Sequence, residues 1–474
     1  MTKTYEIVIG LEIHARLATA TKLFCRCSND SHGKEPNSLV CGVCMGFPGA
    51  LPYTNIHAIE LALRFALATG AVIHNHSKFD RKNYFYPDLP MGYQISQYDE
   101  PISEKGAIPL PHSQGKSIAL TRIHIENDAG KLIHKTEVSS IDFNRAGAPL
   151  IEIVTEPEIR SSDEAYVFAK EVQALLRSVG SSHADMEKGM MRFDASVSVR
   201  ELGETELAPR AEIKNLNSFR SLKHAIEFES KRQISLCEQG TPIEKPCTLG
   251  WNDDRGETYF MREKENAHDY RYFPEPDLPR INLSDEYIQD LKKSQSKTSL
   301  EQRAEYLQYD ISPDTMDLFV YEPYLGDFFK ELMLLGVDTK SASSWVATHV
   351  VGYLREHSIS STIPISPGEL LPLIQAQTEG KISLLNAKEL LPRLIEEKIS
   401  VHDLIQGSGL EQLNDENELS AICQKILVDN PLQVAQYKEG KESLIQFFIG
   451  QAMKQTKGKA NPNILSEIFN RLMQ

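Results

Sequence analysis

No stretch of this sequence holds the ~20 consecutive apolar residues of a membrane-spanning helix, and no basic leader precedes the first strand-like run. The expected compartment is therefore the cytoplasm, with no membrane partner. The glycine loop that cradles phosphates in P-loop proteins is missing, as are the dinucleotide glycine fingerprint and the nucleophile elbow. Gly407-Ser408-Gly409 is too short to stand in for them, and Ser181-Ser182 lacks a glycine-rich setting. Positive charge is in deficit: 51 Lys and Arg against 66 Asp and Glu leave a net charge of −15. That excludes bulk, non-specific nucleic-acid binding but not a local basic surface. Cysteine is scarce and odd in number, seven in 474 residues, which favours thiols or a metal site over a disulfide framework.

What is present divides into three stretches, as the length predicts at ~150 residues per domain. Up to about residue 295, alternating runs such as IVIGLEIHARL, LTRIHIEND, PLIEIVTE and MRFDASVSV mix with two helices. One spans NIHAIELALRFALATG and ends on Gly70; the other starts at Ser161, with Glu164 in the capping-box position, and stops at Gly180. Without a regular βαβ beat, the class is α+β. Beyond about residue 296 amphipathic helical runs dominate, with start signals at Ser312-Pro313 and Ser366-Pro367-Gly368-Glu369, and a break falls around Gln406 to Gly409. The expected domains are 1–295, 296–405 and 406–474. A weak internal echo, NYFYPDLP and RYFPEPDLP, would supply stiff aromatic walls to a groove, or two ordinary proline-rich loops.

Two patterns carry chemistry. Cys25-x-Cys27, thirteen residues, then Cys41-x-x-Cys44 offers four thiolates with spacing suited to tetrahedral structural zinc; four reduced thiols are the alternative, and His32 between the pairs reads as a solvated loop residue. Four protein ligands leave no open position for catalysis. The second pattern is a glutamate set between apolar neighbours on three predicted strands: Glu12, Glu126 and Glu152, with His14 and His124 at i±2 on the same faces as the first two. If those strands adjoin, carboxylates and imidazoles converge as they would to hold Mg²⁺ or Mn²⁺ shared with nucleotide phosphates; the competing reading is a plain polar sheet face. Arg81, Lys82, Arg192, Arg210, Lys214 and Arg220 are the nearby cations suited to phosphate, and Lys454, Lys457 and Lys459 form a small basic cluster suited to a nucleic-acid backbone.

The stretches IGLEIHARL, FDRKNYFYPDLPMGYQISQYD, RIHIENDAGKLIH, DFNRAGAPLIEIVTEPEI, MRFDASVSVR, EIKNLNSFR, AHDYRYFPEPDLP and TKGKANP closely resemble the B subunits of bacterial tRNA-dependent amidotransferases, the GatB family. The resemblance implies a glutamine-synthetase-like catalytic cradle, a helical domain and a YqeY-type tail. It implies a ligase that forms carbon–nitrogen bonds with glutamine as amide donor: ATP phosphorylates the side-chain carboxylate of Glu-tRNA(Gln) or Asp-tRNA(Asn), and ammonia displaces the phosphate. The family's Mg²⁺ site falls on Glu12, His14, Glu126 and Glu152, without His124, and the four cysteines match a zinc knot that some members keep. No glycine- and serine-rich amidase signature is present, so ammonia would come from the family's glutaminase partner, its A subunit, while the small C subunit wraps the pair. The tail would grip the misacylated tRNA, with Lys454, Lys457 and Lys459 as its contacts. One position departs from the pattern: Met91 stands where the family has lysine, so an anion contact there falls to Lys82 or Arg81 or is not made. The rival expectation is a non-catalytic, zinc-containing tRNA-binding scaffold.

Overall fold

The computed structural model describes residues 4–134, 137–263, 267–359, 362–408, 416–438, 441–456 and 460–473, which form two compact units, Met1–Gln302 and Arg303–Gln474. The first unit is organised by β1, Tyr5–Arg16. It pairs antiparallel with Met191–Glu201 on one side and Pro149–Thr155 on the other. The sheet continues outward through Ala211–Leu216, Cys247–Asn252 and Glu257–Glu263 on the first side, and through Ser117–Asn127, Ser103–Glu104 and Val72–Ile73 on the second. Among the described residues only the pairing of Ala211–Leu216 with Cys247–Asn252 is parallel, its crossover made by the helix Phe219–Glu238, and the rest of the sheet is built from antiparallel neighbours.

Because side chains alternate along a strand, each strand sends one set to each face. Leu11, Ile13 and Ala15 of β1 meet Ile151, Ile153, Ile123, Ile125, Phe193 and Ala195 from the neighbouring strands, all buried. Three helices seal that face: α1 (Ile56–Ala68), α2 (Ser162–Ser178) and α3 (Phe219–Glu238), contributing Phe65, Phe168, Val172, Leu222 and Ile226 to the same core. Each such large side chain contributes on the order of 1.5–3 kcal/mol by leaving water. The even-numbered set, Glu12, His14 and Arg16 among it, is thereby turned to the face opposite α1, α2 and α3.

The helix boundaries follow the capping signals. Asn55 caps α1 by accepting from the His57 N–H, and Gly70 takes the left-handed φ of +69° that ends it. Ser161 caps α2 through the Glu164 N–H at 3.1 Å. The expected box there is only half made, because the Glu164 carboxylate accepts instead from the Arg160 N–H at 2.8 Å and from Lys116 at 2.6 Å. The second unit contains only helices among its described residues; Pro313–Tyr321 is capped by Ser312, and Pro367–Thr378 carries a complete capping box between Ser366 and Glu369. The helix Val401–Ser408 includes Gln406, and residues 409–415, onto which the expected break extends, lie outside the described residues. Residues from Leu419 to Met473 share a core of their own around Phe448, Leu465 and Phe469.

Candidate metal and phosphate centre

The register of the central strands builds the face opposite the three helices row by row. One row reads Arg192, His14, Glu152, His124; the next along β1 reads Asp194, Glu12, Val154, Arg122; the row on the other side aligns Arg16, Leu150 and Glu126. Opposed residues in an antiparallel sheet present side chains to one face, so acids from three strands converge. His14 Nε2 lies 3.2 Å from Glu152 Oε2 and 3.5 Å from Glu126 Oε1, and His124 Nε2 lies 3.2 Å from the same Glu152 oxygen. All four side chains are buried.

This geometry sets the charges. Burial alone would push the Glu152 carboxyl up, but the imidazoles of His124 and His14 overcome it and hold Glu152 well below the usual carboxylate range. Burial and Arg192 disfavour the His14 imidazolium, yet Glu152 and Glu126 prevail and raise its pKa. Glu12 goes up through burial and the charge of Glu152, with Lys214 offsetting only part.

One carboxylate or imidazole atom from each of His14, Glu126 and Glu152 lies within 4.8 Å of the others, and so does one from each of Glu12, Asp194 and Glu212. The four expected residues therefore fall into two adjoining groups, with Glu12 in the second. The first group has the hard donors and single imidazole that suit a divalent cation. In the second, Lys214 donates to Asp194 at 2.8 Å and also pairs with Glu212.

The expected cations separate into those at the centre and those outside it. Arg192 sits in the His14 row and bonds Asp128 at 3.3 Å. Lys82 has its ammonium 4.9 Å above the Tyr270 ring; burial works against its charge, but Tyr272, Glu126 and Glu152 together raise its pKa. Arg81 is occupied elsewhere, paired to the buried Glu275 at 2.7 and 2.8 Å and stacked over Tyr93. Arg210 and Arg220 are exposed. Met91 packs on Gly46 beside Cys44 and Tyr93, an apolar setting. Lys454 is exposed on the helix Ile445–Gln455, whereas Lys457 and Lys459 lie outside the described residues.

The echoed aromatic segments do meet. Asp80–Asn83 pairs with Phe273–Pro274, and Tyr84, Tyr270 and Tyr272 gather beside Lys82, with Tyr272 stacked on Tyr98 at 4.2 Å. Sequence reasoning missed Asp194 and Glu212, although Ala-Glu212-Ile repeats the signal of an acid between apolar neighbours used for the other strands.

The four cysteines form the other centre. Their sulfurs lie within 4.8 Å of one another, the Cys41–Cys44 distance being 3.9 Å. Tetrahedral Zn–S bonds of about 2.3 Å would set neighbouring sulfurs about 3.8 Å apart, so the set could hold a structural metal. A hydrogen bond from the Cys25 thiol, opposed by burial and helped by Lys22, brings Cys44 down to about 5. Lys22 is fully buried, with its ammonium on the Leu39 carbonyl at 2.7 Å and Cys44 Sγ at 3.6 Å.

Residues 7–289 match the family model described as the GatB/GatE catalytic domain, and residues 327–473 match the GatB domain model. The B subunit of the aspartyl/glutamyl-tRNA(Asn/Gln) amidotransferase of Thermotoga neapolitana is 41% identical over 479 residues, covering 99% of each chain. That of Persephonella marina is 40% identical over 99% of this chain and 100% of its own. The chloroplastic/mitochondrial B subunit of the glutamyl-tRNA(Gln) amidotransferase of Physcomitrium patens is 42% identical over 98% of this chain and 85% of its own. With both models matched in order and the identity sustained from end to end, this chain belongs to the GatB family.

Proposed function

We propose that this chain is the part of a tRNA-dependent amidotransferase that activates and amidates the side-chain carboxylate of Glu-tRNA(Gln), Asp-tRNA(Asn) or both. The observation that carries this reading is the convergence of His14, Glu126 and Glu152 beside Glu12, Asp194 and Glu212, with Lys82, Arg192 and Lys214 close by. A carboxylate resists attack by ammonia because oxide is a poor leaving group; phosphorylation supplies a good one. Mg²⁺ bound at this centre would neutralise charge that develops during phosphoryl transfer. His14, Glu126 and Glu152 would hold it, with Glu12 at its edge. Lys82, charged against a wall of tyrosines, and Arg192, placed in the His14 row, would orient phosphoryl oxygens.

On this reading residues 1–295 are a glutamine-synthetase-like cradle, the helical stretch that follows divides near residue 406, and the last part of the chain, with Lys454, Lys457 and Lys459, contacts the tRNA. Ammonia comes from a separate glutaminase chain, and a small third chain wraps the pair. The cysteine knot, holding zinc, is structural.

The test reconstitutes the chain with both partner chains and supplies Glu-tRNA(Gln), ATP and Mg²⁺ while withholding ammonia. Wild-type complex should accumulate acyl phosphate, and Glu126→Gln should lower its formation by a factor on the order of 10² or more. Equal formation by the variant would leave the non-catalytic scaffold as the better account.

A further inference from the structure

Arg16 ends β1 two residues beyond His14, on the same face, in the row that carries Glu126. The residue is 7% exposed, and among the described residues no carboxylate lies within ion-pair distance of its guanidinium. Two acids act on its charge from beyond ion-pair distance: Asp30, and more strongly Asp128, which is already shared, Arg145 taking one oxygen at 3.1 Å and Arg192 the other at 3.3 Å. Arg16 keeps only neutral acceptors, the Asn29 carbonyl at 3.4 Å and Ser31 Oγ at 3.1 Å, both on one nitrogen, Nη1. A buried charge without a counter-charge is costly, and folded chains retain one chiefly where a ligand completes it.

Arg16 lines a cavity of about 390 Å³, together with His32, His183 and Lys188. Asp30 stands at its wall and Lys188 pairs with Asp185 at 3.3 Å, so Arg16 is the lining cation whose guanidinium has no ion pair of its own. A planar guanidinium at the back of such a cavity matches the oxygens of a phosphate. We propose that this cavity is a phosphate-binding subsite beside the cation centre, with Arg16 as its anchor. The inference rests on the reaction proposed above, which brings two phosphate-bearing substrates to this face. The group bound is either a nucleotide phosphate or a phosphodiester near the acceptor end of the tRNA.

Arg16→Met, which keeps the length and drops the charge, and Arg16→Lys are compared with wild type in the reconstituted complex. Equilibrium binding is measured for Mg-ADP and, over a range of salt, for Glu-tRNA(Gln). In Arg16→Met one of the two affinities should fall tenfold or more while the other holds, and Arg16→Lys should recover part of the loss. Loss in the ADP arm identifies the nucleotide phosphate. Loss in the tRNA arm, with the log–log salt slope reduced by about one, identifies a backbone phosphate. The melting temperature of Arg16→Met should change little, because no carboxylate is left unpaired and the loss of the hydrogen bonds to Asn29 and Ser31 is offset by removing a buried charge. Affinities within twofold of wild type in both arms, or a lower melting temperature with equal loss in both, would overturn the subsite. Amide formation by the wild-type complex is followed in parallel, so that its absence counts against the reaction and not against the cavity.

Discussion

At the scale of single residues, the balance between His14 and Glu152 makes cation binding a competition with protons. His14 is more basic in the folded chain than outside it, so the stability it contributes is present below its unfolded pKa and fades as pH rises through the folded value. Glu152 stays ionised throughout the neutral range. A divalent cation needs a neutral imidazole, and it also needs Glu12 ionised, whose pKa is raised as well. Both requirements carry the same sign. Manganese affinity, read by electron paramagnetic resonance between about pH 6 and 8, should rise with pH by up to about tenfold per unit for each proton displaced. A flat profile would remove His14 from the ligand set. His124→Ala is informative beside it: the ring touches Glu152 at 3.2 Å, so its loss should raise the Glu152 pKa and shift the same profile to higher pH.

At the scale of elements, short loops and caps hold these residues in place, and their cost can be measured. Ser366 accepts from the Glu369 N–H while the Glu369 carboxylate accepts from the Ser366 N–H at 2.8 Å, so Ser366→Ala should destabilise the second unit by about 1 kcal/mol in urea unfolding, within the usual range for caps. The loop from Cys25 to Cys44 has a further consequence, since Asn29 donates to the Leu17 and Thr19 carbonyls and Ser31 accepts from Arg16. If the thiolates hold zinc, a strong chelator should lower the melting temperature and speed proteolysis between residues 25 and 44, and Cys41→Ser should do the same without chelator. Local signals of this kind were legible in the residues: the ends of α1 and α2, the paired cysteines and the acids framed by apolar neighbours. What was not legible depends on partners distant in the chain. Arg81 reads as a cation suited to phosphate in FDRKN, yet Glu275, 194 positions away, occupies it. Lys22 is fully buried against Cys44, which nothing in the local run TKLF signals. His124, set apart from the proposed metal ligands on family grounds, packs directly on Glu152.

At the scale of the molecule, a net charge of −15 means that any grip on tRNA depends on position, not on bulk attraction. The acids gathered around Glu12 and Glu152 repel phosphate until a cation and the surrounding Lys82, Arg192 and Lys214 offset them. Long-range capture of the tRNA body then has to come from a separate surface. The helices from Leu419 to Met473 enclose their own core, so their removal takes no side chain from the core of the sheet unit. Ending the chain at Ser408 should therefore leave acyl-phosphate chemistry intact once substrate is bound, while weakening capture. The expected result is a KM for Glu-tRNA(Gln) raised tenfold or more with kcat within about threefold, the pattern of lost uniform binding. Replacing Lys454, Lys457 and Lys459 together by alanine should reproduce part of that rise and lower the salt slope of tRNA binding by up to about three, roughly one per phosphate contact. If truncation lowered kcat and left KM alone, the tail would be acting on the chemistry, and the division between a charged catalytic face and a separate tRNA grip would be wrong.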